Sequence, residues 1–380
     1  MRVLFAINTL HNGGAEAHLL LLATGLQLLG VSCEVAFLRS HVTGGSVDLR
    51  DTFEAAGIAT HYLSGEKSYD PRIGNRLQRL LRSGQWDVVH SHLPRADAAA
   101  AFAKLLDRDR VWISTLHHPY DDKTYAAALL IPALARMWRM ADAVVAVSEP
   151  VRQWAIDRLG VSPDRVTTVV HGIAIEEPAR SDNPTPSTDT RGPGYVIGAI
   201  GRLEERKGHA TLIRAMVPIL KRFPDARLRI AGHDPWGYGD VLRRLIAELE
   251  LGNHVELVGY MSDKTTFFAG IDVFAFASRA EGFGIVLLEA MRAGKPSVVS
   301  DISPLKEIIT PGISGLLAPL EDAAGFAAAI MSLFSDRGSL LRMGEEGRRR
   351  VATEFSQARM VEHTLQVYQR VARARTRKAS

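Results

Sequence analysis

The sequence predicts an α/β protein made of two doubly wound, parallel-sheet domains. The chain has 380 residues, more than one ordinary core accommodates and enough for two. Short β-rich runs alternate with longer helical stretches along nearly the whole length, and a strand–helix alternation implies parallel sheets covered on both faces. A proline-rich, apolar-poor segment, Glu176 to Gly194 ("EEPARSDNPTPSTDTRGPG"), divides the series in two and reads as a linker.

The first series of expected strands is Val3–Ile7, Cys33–Leu38, Asp87–His90, Val111–Thr115, Ala143–Val147 and Val166–Val170. The second is Tyr195–Ile200, Arg227–Ala231, Val255–Leu257, Val273–Ala277, Ser297–Ser300 and Gly315–Leu317. The expected domains are therefore 1–175 and 195–355 around the linker 176–194, followed by a C-terminal helix and basic tail over 356–380. In such sheets the loops at the carboxyl ends of the strands are the ones open to ligands.

Composition narrows the class. Apolar residues make up 46% and charged residues 23%, the balance of a globular protein rather than a disordered or fibrous one. No apolar run reaches the length of a membrane span, and "MRVLFAINTLHNGG" lacks the apolar core and cleavage site of a signal peptide. The lone Cys33 lies in an apolar run, excludes an internal disulfide and reads as a small core residue in a cytoplasmic protein. Net charge is +4, and the tail from Ser356 carries six basic residues against Glu362, leaving the rest of the chain at −1. That distribution does not fit a nucleic-acid binder, while the tail suits peripheral contact with an anionic membrane or simple solvation. The apolar stretch Thr124 to Met140, with Arg136 and Arg139, allows the same contact, although a core helix interrupted by Pro132 is the favoured reading.

Three stretches carry chemistry. After the first strand, Gly13-Gly14 turns the chain into a helix over Ala15 to Leu29 whose first-turn amides can face an anion; the spacing is not that of a dinucleotide fingerprint. At the start of the second series, "IGAIGRLEERKG" sets Arg202 and Lys207 just beyond a strand, where two cations suit a diphosphate. Finally, "SRAEGFGIVLLEAMRAGKP" places Glu281 in a loop at a strand's carboxyl end and Glu289 on the helix Ile285 to Arg292 that follows. Carboxylates accept from hydroxyls, and the glycine loop offers amide donors to phosphate. Hydroxyls on both sides of a diphosphate describe a nucleotide sugar.

These residues carry a resemblance. E-G-F-G-x4-E over Glu281 to Glu289 resembles the E-x7-E motif of retaining glycosyltransferases with the two-domain GT-B fold, in particular glycosyltransferase family 4. The likeness extends through "NGGAE" (Asn12–Glu16), "VVHSH" (Val88–His92), "STLHH" (Ser114–His118), "VVAVSEPV" (Val144–Val151), "VVHGI" (Val169–Ile173), "GRLEERKG" (Gly201–Gly208), "LVGY" (Leu257–Tyr260) and "GLLAP" (Gly315–Pro319).

The resemblance implies a GT-B fold, two Rossmann-like domains facing across a cleft. It assigns Arg202 and Lys207 to the donor diphosphate, Glu281 to hydroxyls of the transferred sugar and Glu289 to the ribose. Gly282, Phe283 and Gly284 supply backbone amides, Gly13 and Gly14 approach the diphosphate, and Gly259 with Tyr260 border the base. His117 matches the family's histidine near the transferred sugar, with His118 as its alternative; His90 and His92 line the acceptor side or serve structure. His171 stands where relatives commonly carry Asn.

The expected function is retaining sugar transfer from a nucleotide-diphosphate sugar to a carbohydrate or lipid-linked acceptor in cell-surface glycan or glycolipid synthesis. No cofactor is expected, nor a metal, because no D-x-D triplet stands in a suitable loop and Asp121-Asp122 lacks the spacing. The rival readings are a nucleotide-sugar epimerase or sugar phosphorylase on the same fold, and a non-catalytic nucleotide-sugar-binding protein.

Overall fold

A computed structural model of the chain describes residues 1–11, 13–39, 48–63, 70, 72–120, 131–175, 194–261 and 263–379. They form two compact units, Met1–Ala174 with Gln357–Ser380, and Ile175–Ser356. Residues 176–193 of the expected linker, Asn12, Asp121-Asp122 and the first half of the Thr124–Met140 stretch lie outside the described residues.

In the first unit the strands are β1 Arg2–Ile7, β2 Ser32–Phe37, β3 Ala59–Tyr62, β4 Val88–His92, β5 Trp112–Leu116, β6 Ala143–Ala146 and β7 Val166–Thr168. They pair in the order β3-β2-β1-β4-β5-β6-β7, every pair parallel. The described helices between them are α1 Gly14–Leu28, α2 Arg50–Ala55, α3 Arg72–Ser83, α4 Pro94–Leu106, α5 Ile131–Trp138 and α6 Glu149–Asp157. Strands β1, β4 and β5 have almost wholly buried runs, as expected of parallel strands covered on both faces. The edge strand β3, "ATHY", has no buried residue, and its lack of an apolar run hides it from a pattern search.

The second unit contains β8 Val196–Ile200, α7 His209–Arg222, β9 Arg227–Ala231, α8 Tyr238–Glu248, β10 Val255–Gly259, α9 Lys264–Ala269, β11 Val273–Phe276, α10 Ile285–Arg292, β12 Ser297–Ser300, α11 Ser303–Ile308, β13 Leu316–Ala318, α12 Ala323–Ser335 and α13 Arg337–Glu354. Its sheet runs β10-β9-β8-β11-β12-β13, again all parallel. Each sheet reverses its winding direction once, between β1 and β4 in the first unit and between β8 and β11 in the second. At such a reversal the loops leaving adjacent strands run to opposite sides and open a crevice at the carboxyl ends.

The last helix, α14 Gln357–Ala379, folds back onto the first unit. Met360, Val361, Val367 and Tyr368 join the core around Val3, Phe5 and Leu22. A Cβ at Gly25 of α1 would collide with Val361 Cγ2, so glycine there permits the close approach. Gln357 Nε2 donates to the Leu21 carbonyl at 2.7 Å, fixing where the helix starts. Cys33 is buried in the same core, and burial pushes its thiol up to about 12, away from reactivity.

Candidate active site

In the second unit most of the expected site residues follow the two strands that flank the reversal, β8 and β11, while Gly259 and Tyr260 lie at the end of β10. The loop after β8 begins at Gly201 and includes a single 3-10 turn, Glu205–Lys207. The loop after β11 contains Ser278 and Glu281. The two loops meet in an ion pair: Lys207 Nζ donates to Glu281 Oε1 at 2.5 Å, with both side chains nearly buried. Ser278 Oγ donates to the same oxygen at 2.6 Å, and among the described residues Oε2 takes no hydrogen bond. Burial pushes the Glu281 carboxyl up, but the Lys207 charge and hydrogen bond, Ser278 and Arg206 outweigh it and hold the group below the usual carboxylate range.

Backbone geometry enforces this meeting. Gly208, which opens α7, has φ 67°, and a Cβ there would strike the Ala277 carbonyl oxygen, so glycine alone lets the Lys207 turn lie against the end of β11. Arg202 is half exposed, its guanidinium 5.2 Å over the Trp236 ring and 3.2 Å from Glu204 Oε1. Trp236 is 63% exposed in the loop after β9, where its face carries the Arg202 cation.

Glu289, on the second turn of α10, has apolar residues on either side, Leu287, Leu288, Ala290 and Met291, all buried, so a partner favours its charge there. Lys264, the first residue of α9, supplies it by donating to both carboxylate oxygens at 2.8 Å. The Asp263 side chain caps α9 through Thr265 and Thr266 amides, which sets the origin of Lys264. Gly284 caps α10 at φ 123°, a conformation glycine tolerates. Phe283 turns its ring into the core, 2% exposed and 5.9 Å from Phe355, which leaves the ring itself no part in contacting a ligand. Gly259 ends β10 at φ 82°, and Tyr260 after it is exposed.

In the first unit Gly13 is the N-cap of α1 with an extended backbone, φ −119°, and Gly14 is the first helical residue. The tight-turn reason for Gly13 is therefore corrected: a Cβ there would collide with the Glu16 carboxylate, which folds back to accept from Thr9 Oγ1 at 3.0 Å. Burial raises the Glu16 carboxyl despite that bond.

His117, just beyond β5, stands in a cluster with His18, His90, His92 and His171. His92 Nδ1 lies 3.0 Å from His117 Nε2, and His171 Nδ1 lies 2.7 Å from His18 Nδ1. The His18 ring is 5.4 Å from that of His117 and 4.2 Å from that of His171. His90 bonds Tyr368 Oη and Thr115 Oγ1 at 2.6 and 2.7 Å, a structural role that ties α14 to the sheet. Burial pushes His18 and His90 down to about 3 and His92, His117 and His171 well below the usual range, so all five are neutral. Among the described residues no group of three or more His, Cys, Asp or Glu has metal-holding geometry. His118 bonds the Pro119 carbonyl at 2.8 Å instead of joining the cluster.

Beneath the cluster, Asp97 of α4 accepts from Ser91, Ser114 and Trp138, pinning α4 across β4 and β5. Its burial raises the carboxyl to about 7. Sequence reasoning missed Ser278, Trp236, Lys264, His18 and Asp97. The Asp263 cap signal "SDKTT" could have flagged Lys264, whereas nothing in the linear sequence distinguishes His18, one polar residue in "AEAHLLLL", from a helix surface histidine.

Residues 12–177 match Glycosyltransferase Family 4, and residues 185–350 match Glycosyl transferases group 1. The chain belongs to the GT-B glycosyltransferases of the family 4 type. Among curated relatives, phosphatidyl-myo-inositol mannosyltransferase of Mycolicibacterium smegmatis is 28% identical over 335 residues, covering 85% of this chain and 82% of the relative. Among solved structures, a glycosyltransferase from Rickettsia africae superposes with a TM-score of 0.80 at 21% identity, covering 97% of this chain and 98% of that one. Anabaena HepE, solved with UDP and glucose, superposes with a TM-score of 0.83 at 20% identity, covering 97% and 99%. Both likenesses speak to the fold, which is GT-B.

Proposed function

We propose that the chain is a retaining glycosyltransferase that moves a sugar from a nucleotide-diphosphate donor to a hydroxyl of a carbohydrate or lipid-linked acceptor, in cell-surface glycan or glycolipid synthesis. The observation that carries this reading is the Lys207–Glu281–Ser278 constellation at the winding reversal of the second sheet, with Arg202 on the same loop as Lys207. A relative named for mannosyl transfer to phosphatidyl-myo-inositol and a structural neighbour holding UDP and glucose support the donor and acceptor classes.

In this reading Arg202 and Lys207 meet the oxygens of the diphosphate, where each charge-assisted hydrogen bond is worth about 1.5–3 kcal/mol. As the bond between the anomeric carbon and phosphate oxygen lengthens, charge grows on the leaving diphosphate, and the two cations stabilise it more than they stabilise the intact donor. That is the work a divalent ion does elsewhere, so the reaction is proposed to proceed without one. The acceptor oxygen forms its bond on the face the diphosphate leaves, and its proton passes to a phosphate oxygen, with no protein nucleophile.

Glu281 Oε2 accepts a hydroxyl of the sugar while Oε1 stays with Lys207 and Ser278. Glu289 has lone pairs for a ribose diol beyond those used by Lys264. His117 donates to an oxygen of the transferred sugar. The protein is proposed to be cytoplasmic, its basic tail suiting contact with an anionic bilayer; no described helix is long and apolar enough to cross one. Incubation with a panel of nucleotide sugars and glycan or glycolipid acceptors, with and without a chelator, tests the reading. A product whose anomeric proton coupling matches that of the donor sugar supports it; consumption of donor only by isomerisation, or an inverted product, defeats it.

A further inference from the structure

We propose that His92 fixes the tautomer of His117, so that His117 presents its Nδ1–H outward as a hydrogen-bond donor. His92 is therefore a positioning residue acting through its neighbour. The two rings share one hydrogen bond, His92 Nδ1 to His117 Nε2 at 3.0 Å, and since both rings are buried and neutral, one nitrogen donates and the other accepts.

What decides the direction is the far nitrogen of His92. Its Nε2 is buried and, among the described residues, has no hydrogen-bond partner. If His117 donated, His92 would carry its own proton on that Nε2, leaving in the core a buried N–H without a partner, the rarer kind of orphan. If His92 donates from Nδ1, its Nε2 holds only a lone pair, and buried acceptors are left under-satisfied somewhat more often than buried N–H groups. The bond therefore runs from His92 to His117, and the His117 proton sits on Nδ1.

That Nδ1 bonds no described residue and is not among the buried orphans, so it is the edge of the ring that a ligand meets. The other groups facing His117 are His18 of α1, His171 after β7, His90 of β4 and its neighbour His118, and none bonds Nδ1. The backbone next to His92 is held under strain: Leu93, which caps α4, has φ 75° and ψ 147°, a region that side chains rarely adopt. The strained joint and the Asp97 network beneath it give the His92 ring a fixed origin.

The consequence for chemistry is that His117 acts as a neutral donor to a sugar oxygen and not as a general base, a statement that rests on the transferase reading. The tautomer itself does not, and it is tested without substrate. Long-range proton–nitrogen correlation spectra of nitrogen-15 histidine-labelled protein distinguish the two nitrogens of each ring. The wild type is expected to show a pyrrole-type Nδ1 and a pyridine-type Nε2 at His117. His92→Asn, whose amide N–H takes the place of Nδ1–H, keeps that pattern, while His92→Leu shifts both His117 nitrogens toward averaged values and leaves His90 unchanged. A pyrrole-type Nε2 at His117 in the wild type, or an unaltered His117 in His92→Leu, overturns the proposal. Where the leucine variant does not fold, the wild-type and His92→Asn spectra still decide. In transfer assays His92→Leu is expected to lose about tenfold in kcat, the worth of one hydrogen bond, with His92→Asn restoring most of it.

Discussion

Lys207 and Glu281, 74 residues apart in the chain, form a nearly buried ion pair at the point where the second sheet reverses its winding. Neither side chain can be removed alone without stranding the other's charge. Lys207→Ala is expected to cost about 3 kcal/mol of stability, the usual loss when one partner of a buried pair is deleted. Adding Glu281→Gln removes the stranded charge and is expected to recover more than half of that cost in a denaturant titration, while transfer stays lost in both variants. A double variant no more stable than Lys207→Ala would show that the pair carries no such coupling.

Trp236 offers a reporter. Its ring underlies the Arg202 guanidinium, so a diphosphate drawing Arg202 toward its oxygens changes the ring's surroundings. Addition of nucleoside diphosphate is expected to shift the intrinsic fluorescence, and Trp236→Phe to abolish the shift. Trp236→Ala is expected to weaken donor binding about threefold to tenfold through loss of the cation–π contact. Unchanged fluorescence at saturation would detach Trp236 from the site.

Gly208 is the backbone condition for the pair. Substituting Ala imposes a left-handed side-chain residue and a collision with the Ala277 carbonyl. The expected cost is about 1–3 kcal/mol of stability, together with a loss of nucleoside diphosphate affinity larger than that seen for Gly259→Ala, where a Cβ meets nothing within 4 Å. Equal effects at the two positions would refute the steric argument.

The histidine cluster makes stability depend on pH. A histidine whose folded pKa is lowered stabilises the fold fully above its unfolded value near 6.5 and loses that contribution as pH falls toward the folded value, about 3 for His18 and His90. His92, His117 and His171 act in the same direction, as does His209, lowered to about 4. Asp97 opposes them: its carboxyl is raised from 3.8 to about 7, so its charging weakens the fold as pH rises through that window. Glu16, whose carboxyl is also raised, acts with Asp97, so two carboxyls stand against six histidines, and each group contributes about 1.4 kcal/mol per pH unit where its folded and unfolded protonation differ. Tm is therefore expected to fall steeply between pH 6.5 and 5, and His171→Asn to flatten the fall. A Tm constant over that range would contradict the burial of the cluster.

Much of this architecture was legible in the sequence because parallel strands buried on both faces are apolar runs: every expected strand from Val3 to Leu317 coincides with a strand of the structure, within a few residues at its ends. The edge strand Ala59–Tyr62 escaped because it is half exposed and carries no such run. Arg202, Lys207, Glu281 and Glu289 were legible as polar residues misplaced at strand ends and within an apolar helix. Their partners were not, since Lys264 and Ser278 become special only through a register that folding sets. Likewise nothing in the sequence pairs His171, which stands where relatives commonly carry Asn, with His18, 153 residues earlier. The sequence names Phe283 for its backbone amide, and says nothing of its ring, which belongs to the core.

The central claim is that Arg202 and Lys207 hold the donor diphosphate, and calorimetric titration of nucleoside diphosphate tests it most directly. The double variant Arg202→Ala/Lys207→Ala, checked for folding by circular dichroism, is expected to bind at least about a hundredfold more weakly than wild type, the loss of two charge-assisted contacts, while affinity for the unphosphorylated nucleoside changes little. Wild-type affinity for the diphosphate in the folded double variant would contradict the account.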